Sequence, residues 1–389
     1  MASPSASTRS RIVRWVMLSI LAGLAVWVVP SIAARFGIGE WTRTDFERHS
    51  IPLDEIHSGG PPKDGIPAID SPKFVTIAGA KRWLCAQEPV IAVTSDLEAK
   101  AYPLQILIWH EIVNDAIGTT PISVTFCPLC NSSIVYERRI GERVLDFGTT
   151  GRLRKSDMVM YDRQTESWWQ QLTGEAIVGV LTGKKLRTLP SGIVSFEQFA
   201  RAFPNGRVLS RETGYSRRYG VNPYTGYDSI TDRPFLFYGT VDPRLPPMER
   251  VLNVDVEGRK KIYPFRAFSS TPVINDEVGG VPLVIFSAPG ASSALDTQYV
   301  AEGRKVPSAT AYVRRLDGKK LEFRAGEGGF VDDATGSKWN LFGRASSGPL
   351  AGRRLQPATS GIHFAFAWLA FNPDAPIYHA GEKTKRDRK

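Results

Sequence analysis

Two cysteines set one turn apart are the residues of this chain best equipped for chemistry. They form Cys127-Pro128-Leu129-Cys130, a C-x-x-C, with His110-Glu111 upstream of them. Such a pair can hold a soft metal, cycle between dithiol and disulfide, or serve structure alone. A thioredoxin-type dithiol needs its first Cys at a helix N-terminus, whereas Asn131 to Arg139 alternates like a strand. A c-type haem site needs His directly after the second Cys, where this chain has Asn131. A zinc knuckle needs two further ligands, commonly a second C-x-x-C. The remaining cysteine, Cys85, stands alone and reads as a small buried hydrophobe. The fourth reading is a metal site completed by His110 and by a thioether or a carboxylate, the thioether being Met160 rather than Met158 of SDMVMYD. Two thiolates, an imidazole and a thioether form a soft set that suits copper, and zinc less well. Glu111 is then a group that orients His110 from behind. The bland alternatives stay open. His110 also reads as a satisfied half-buried histidine, Glu111 as the solvent face of a helix, and the methionines as core.

Two other segments could bind a ligand. Trp168, Gln170 and Gln171 of WWQQ mix aromatic and polar character and could line a pocket. Arg217, Tyr219 and Tyr224 belong to the Tyr/Arg-rich GYSRRYGVNPYTGYD, which could cover that pocket or only connect two halves. A phosphate-binding glycine loop, H-E-x-x-H and G-x-S-x-G are all missing from the sequence, which closes the motif-based routes to NTPase, zinc protease and serine hydrolase.

The elements that must position these residues come in two related sets. AYPLQILIWHEIVNDAIGTTPISVTFCPLCNSS, from Ala101, aligns without a gap with IYPFRAFSSTPVINDEVGGVPLVIFSAPGASSA, from Ile262. Further on, YDRQTESWWQ from Tyr161 matches VDDATGSKWN from Val331, and GEAIVGVLTGKKL matches GRASSGPLAGRRL. We read a tandem pair of related domains, about 73–240 and 241–380, after a Gly/Pro-rich lead-in over 41–72. Shared positions (the Tyr-Pro and Asn-Asp pairs, Trp169 with Trp339) are expected to serve the scaffold. Where the copies differ, chemistry is expected: His110 faces Thr271, Glu111 faces Pro272, and Cys127 and Cys130 face Ala288 and Ala291. Because Pro289 is kept between the alanines, the same turn is expected to form there without sulfur. The second copy therefore reads as a site-less partner.

Pro89 to Thr94, Pro121 to Phe126, Ile134 to Arg138 and Val144 to Phe147 predict strands. Leu104 to Ala116 has apolar residues at helical spacing, and Ser195 to Phe203 predicts a short helix capped by Ser195. The fold class is α+β, β-rich, used twice. Ile51, Leu53, Ile56 and Ile66 are expected to dock the lead-in on the body.

Lys and Arg number 49 and Asp and Glu 39 over 389 residues, a net +10. Much of that excess lies at Arg9, Arg11 and Arg14 and in the basic tail 381–389, so no nucleic-acid surface is expected. Trp15 to Ala34 is uncharged and mostly apolar, long enough at about 1.5 Å per residue to cross a bilayer. The basic residues before it keep the N-terminus in the cytoplasm. The expectation is a signal-anchor in the inner membrane with the body on the periplasmic side. Cleavage after Ser31-Ile32-Ala33, and hence secretion, is the alternative. The substrate and the small-molecule or protein redox partner are open.

Several of these segments, in order, resemble the uncharacterised bacterial "domain of unknown function 3179" family. They are SGGPPKDGIPAID, AYPLQILIWHEIVND, VTFCPLCNSSIVY, DFGTTGRLRKSDMVMYDRQTESWWQQLTGEAIVG and YGVNPYTGYD, and the likeness runs from about residue 50 to 380. The resemblance implies a bacterial protein, often with an N-terminal signal or anchor, and no activity to transfer. The preferred expectation is an exported, membrane-anchored protein that binds a soft transition metal for redox or metal-handling chemistry. A metal-free dithiol/disulfide oxidoreductase and a non-catalytic periplasmic binding module are the alternatives.

Overall fold

The runs PVIAVT and TPISVTFC are rich in β-branched residues and are bounded by turn formers, so they form the strands Pro89–Thr94 and Thr120–Cys127. Repeated along the chain, this pattern gives a β-rich α+β fold of several sheets. The computed structural model describes residues 36–380. The expected membrane segment and the basic tail lie outside the described residues. Among the described residues no helix is long and apolar enough to cross a membrane.

Two sheets position the cysteines. A seven-stranded sheet runs in the order Arg259–Pro264, Arg250–Val256, Thr359–Phe364, Ser132–Glu137, Thr120–Cys127, Ile112–Ile117, with Arg187–Leu189 also paired to Ser132–Glu137. A five-stranded antiparallel sheet runs Ile56–Ser58, Phe147–Arg154, Asp157–Asp162, Trp168–Gln170, Ala176–Val178. The first sheet joins the two halves of the chain through the single pairing of Ile362 with Ser133.

The same bonds recur at matched positions of the two halves. Trp169 Nε1 donates to Asp162 at 2.9 Å, and Trp339 Nε1 donates to Asp332 at 2.9 Å. The Asn114 amide brackets Phe147 through both its N–H and C=O, and the Asn275 amide brackets Phe323 in the same way. Tyr102 donates to Asp115 at 2.6 Å, and Tyr263 donates to Asp276 at 2.9 Å. Each satisfies polar groups that would be costly to bury alone. This is the scaffold work expected of the shared positions.

Three local expectations change. The helix from Leu104 stops at His110, and Ile112–Ile117 is a strand paired with Thr120–Cys127. Glu111 makes the break with φ 58°, and the β-branched Ile112 and Val113 are held by the ladder rather than by helical spacing. In the second half no turn forms around Pro289. The strand Val281–Ser292 runs straight through, with a bulge between Pro289 and Ala291. Cys85 is exposed rather than buried, in a turn where its N–H donates to Glu88 at 2.9 Å. The Ser195 helix is as expected, Phe196–Ala202 with a capping box to Gln198.

The lead-in is ordered against the first half. Phe36 and Trp41 sit edge-on to Trp168 at 5.5 and 5.0 Å, and Ile56 is buried beside them. Gly151, at φ 68°, lies where the ladder register shifts between Thr149 and Arg152. The Pro61 carbonyl passes so close to it that a Cβ there would overlap the oxygen.

Candidate metal centre

Cys127 ends its strand, and Pro128 follows with a fixed φ and no N–H to continue the ladder. Pro128–Cys130 is a single 3-10 turn. Asn131 then takes the left-handed conformation, φ 45° and ψ 34°, which Asn tolerates better than most residues, and its N–H closes on Pro128 O at 3.1 Å. The chain reverses into Ser132–Glu137 with Cys127 opposite Ser132. Both sulfurs end up on the inside of the reversal, 1% exposed or less.

A second hairpin brings a carboxylate to them. Arg154 pairs with Asp157, leaving Lys155 and Ser156 as a two-residue loop with φ 53° and 68°. Positive φ at both positions is the geometry that matches the strand twist. Asp157 Oδ2 accepts from Gln170 Nε2 at 2.6 Å and from the Leu172 N–H at 2.9 Å. Asp157 Oδ1 is buried without a hydrogen-bond partner. The two sulfurs and a carboxylate oxygen of Asp157 all lie within 4.8 Å of one another. Cys127 Sγ also faces the Ser156 carbonyl at 3.9 Å.

The electrostatics follow from burial. Burial pushes Asp157 up from its ordinary 3.8 to about 7, against the pull of its hydrogen bonds from Gln170 and Leu172. Burial, then Asp157, pushes Glu111 up to about 8. Burial raises the Cys127 thiol, although a hydrogen bond from Cys130 opposes it, and raises Cys130 well above its usual range. Among the described residues, no basic side chain is a cause of any of these shifts. Cys127, Cys130 and Asp157 thus converge, with Glu111 acting on two of them, and among the described residues no basic side chain balances them; such a group holds its protons, and a bound cation would ionise it.

The Tyr/Arg-rich segment lies over this site. Tyr227 donates to Leu129 O, within the C-x-x-C turn, at 3.0 Å and accepts from the Phe235 N–H at 3.1 Å. Ser156 donates to Phe235 O at 2.6 Å. Asp228 anchors the segment to the second half, against Arg250 at 2.5 Å, Arg304 at 2.6 Å and the Ser293 hydroxyl. From below, His363 reaches Ser132 Oγ and Asn253 Oδ1, both at 2.9 Å. Burial lowers His363 to about 3, so it is neutral and brackets Ser132 as an acceptor.

The residues singled out from the sequence fall into three groups. Cys127 and Cys130 converge, and Met158 and Met160 share their core cluster. Glu111 is 8% exposed, and its electrostatic partners are Asp157 and Cys127 rather than His110. Gln170 braces Asp157, while Gln171 donates to Thr125 Oγ1 at 2.8 Å. Tyr224 is half-buried, and burial, then Glu111 and Cys127, hold its phenol up. His110 stands outside the donor group. Its Nδ1–H donates to Pro67 O at 2.7 Å and its Nε2 takes the Tyr219 hydroxyl at 2.7 Å. Burial, with Arg217 nearby, keeps its pKa low. Trp168 packs under the lead-in instead of lining a pocket, and Arg217 is exposed with a hydrogen bond to Ser216 O.

Asp157 was missed for a definite reason. Its counterpart in the second half is Glu327, also a carboxylate, so comparing the copies shows no change of chemistry there. The difference is burial, because Glu327 is exposed and Asp157 is fully buried.

A family model described as "Protein of unknown function (DUF3179)" matches residues 63–375. No curated protein and no solved structure matches the chain.

Proposed function

The chain belongs to the DUF3179 family of proteins of unknown function, and from that premise we propose that its first half is a transition-metal site built from Cys127, Cys130 and Asp157. The observation that carries this reading is the convergence of three buried ionisable donors within 4.8 Å, with one carboxylate oxygen left without a partner. Burying such groups with no counter-charge is expensive, and a metal ion both balances and bonds them. A set containing imidazole and thioether favours copper. A carboxylate in third place makes the set harder, and zinc fits two thiolates and a carboxylate at least as well. When bound, the ion would supply Lewis acidity or, if copper, one-electron chemistry. The protein's own part is to hold the donors through Gln170 and Leu172 and to cover them with Tyr227 and its neighbours.

The setting we infer is an extracytoplasmic one, with Trp15 to Ala34 as anchor or cleaved signal. We also read the matched bonds of the two halves as the trace of a tandem duplication whose second copy lost the site and now braces it through His363 and Ser132. Elemental analysis of anaerobically purified protein tests the metal reading. One equivalent of zinc or copper in the wild type, lost in Cys127→Ser and in Asp157→Asn, is expected. A metal-free wild type with a reducible Cys127–Cys130 bond would replace it with the dithiol reading.

That second reading has one observation in its favour. Asp157 lies within 4.8 Å of both sulfurs, and burial holds it near pH 7, where a carboxylate can take and return a proton. Against it, both thiols are pushed up, whereas a reactive thiolate needs to be pulled down.

A further inference from the structure

The matched segments GEAIVGVLTGKKL and GRASSGPLAGRRL place Glu175 opposite Arg344 and Lys185 opposite Arg354. The structure keeps that match: Glu175 faces Lys185 across one antiparallel bridge, and Arg344 faces Arg354 across another. In the first half the facing side chains form an ion pair at 2.9 Å. In the second half both carry positive charge, and like charges directly opposite each other destabilise a ladder. Both arginines line a cavity of about 370 Å³ between the two halves. That volume falls in the roughly 300–1,000 Å³ range of small-molecule sites. Arg207 lines the cavity from the first half. Of the two acids there, Glu98 is drawn off by Lys100 at 3.6 Å and by the Gly118 N–H at 3.0 Å. Asp96 meets Arg354 at 3.2 Å, but its side chain is 98% exposed and water screens it. Among the described residues the Arg344 guanidinium has no hydrogen-bond or ion-pair partner. The cavity also has apolar walls: Phe203 meets Phe342 edge-on with ring centroids 4.8 Å apart, and Leu97 is 94% exposed.

We propose that this cavity binds a small organic anion, its carboxylate or phosphate head held between Arg344 and Arg354 and its apolar body against Phe203 and Phe342. Guanidinium groups match either head with paired N–H donors. Asn340, in the same wall, adds a donor: its Oδ1 accepts from the Phe342 and Arg344 N–H groups at 3.0 and 3.1 Å, which leaves its NH2 for the ligand. The bound charge relieves the repulsion that the fold alone leaves between the facing arginines. The second half thus carries a site of its own, and the inference does not depend on the metal reading of the first.

Calorimetric titration of the full chain with phenyl phosphate, benzoate and neutral benzyl alcohol tests it. At least one of the two anions is expected to bind with a Kd of about 1 mM or tighter, and benzyl alcohol about tenfold more weakly or worse. The tighter anion identifies the head group. Arg344→Glu rebuilds the opposite-charge pair of the first half. It should therefore fold with an unchanged or higher melting temperature and lose anion affinity about tenfold or more. Arg353→Glu makes the same change of charge one residue from Arg354 but outside the cavity, and should leave affinity within about twofold. Failure of both anions to bind overturns the proposal, as does undiminished binding in Arg344→Glu. Equal binding of benzyl alcohol overturns it in favour of a merely apolar pocket. An equal loss in Arg353→Glu overturns it in favour of general attraction between charges.

Discussion

Cys127, Cys130 and Asp157 share one buried point, and what each does there is a matter of protons. Asp157 and Glu111 have folded-state pKa values of about 7 and 8, above their ordinary 3.8 and 4.5. Their stabilising protons are fully held below about pH 4 and are lost as pH rises through 7 and 8. His363, lowered to about 3, works in the opposite sense, and its contribution is complete above about pH 6.5 and lost as pH falls through 3. Between pH 6.5 and 8 only the carboxyls of this set titrate, so metal-free protein is expected to lose stability there in urea unfolding. Glu111→Gln should flatten that slope, and an unchanged slope would mean that Glu111 is not charged at such a cost. Bound metal should reverse it, because ligation releases the same protons. Gln170→Leu removes the donor that orients Asp157 and should weaken metal binding roughly 10–100-fold in a competition titration. His110→Ala should leave metal affinity unchanged, since both ring nitrogens are engaged elsewhere. At this scale the C-x-x-C was legible because its members are adjacent in sequence. Asp157 was not, because its residue type is matched in the other half and only its burial differs.

Strands and turns bring those side chains together, and their strain lies in a few backbone positions. The Lys155-Ser156 turn aims Asp157, the Asn131 reversal folds the cysteines inward, and Glu111 breaks a helix so that a strand can begin. Gly151 lets the lead-in cross the sheet against Pro61. Gly151→Ala is expected to lower the melting temperature, by strain on the order of 1–3 kcal/mol in addition to the displaced carbonyl. Gly39→Ala, with open space around it and no positive φ, should leave the melting temperature unchanged. Element boundaries were legible where capping chemistry marks them, as at Ser195. They were misread over 112–117, where apolar residues at helical spacing belong to a strand. The deciding force there is the ladder with Thr120–Cys127, a partner that periodicity within one segment does not reveal.

Over the whole molecule, the two halves meet at the site. The second half supplies His363 beneath the C-x-x-C reversal and Arg250 and Arg304 for the segment above it. Asp228 is 1% exposed and its charge is held by both arginines, although burial alone would raise its pKa. Asp228→Asn leaves Arg250 buried without its counter-charge and is expected to cost about 3–5 kcal/mol. It should also loosen the cover, read as faster alkylation of Cys127 and Cys130 in metal-free protein. Unchanged alkylation would mean that residues 213–238 do not guard the sulfurs. The repeated order of motifs is visible in the sequence, and several of the matched residues make matched bonds. The joining of Thr359–Phe364 to Ser132–Glu137 is not visible there, because it rests on one register pair between residues more than two hundred positions apart.

The most direct measurement is the metal stoichiometry of the wild type beside Cys127→Ser, Asp157→Asn and His110→Ala, all purified without oxygen. One ion per chain in the wild type and in His110→Ala, and none in the other two, is the predicted result. A wild type without metal, or an Asp157→Asn variant that keeps its full equivalent, would contradict the site described for this protein.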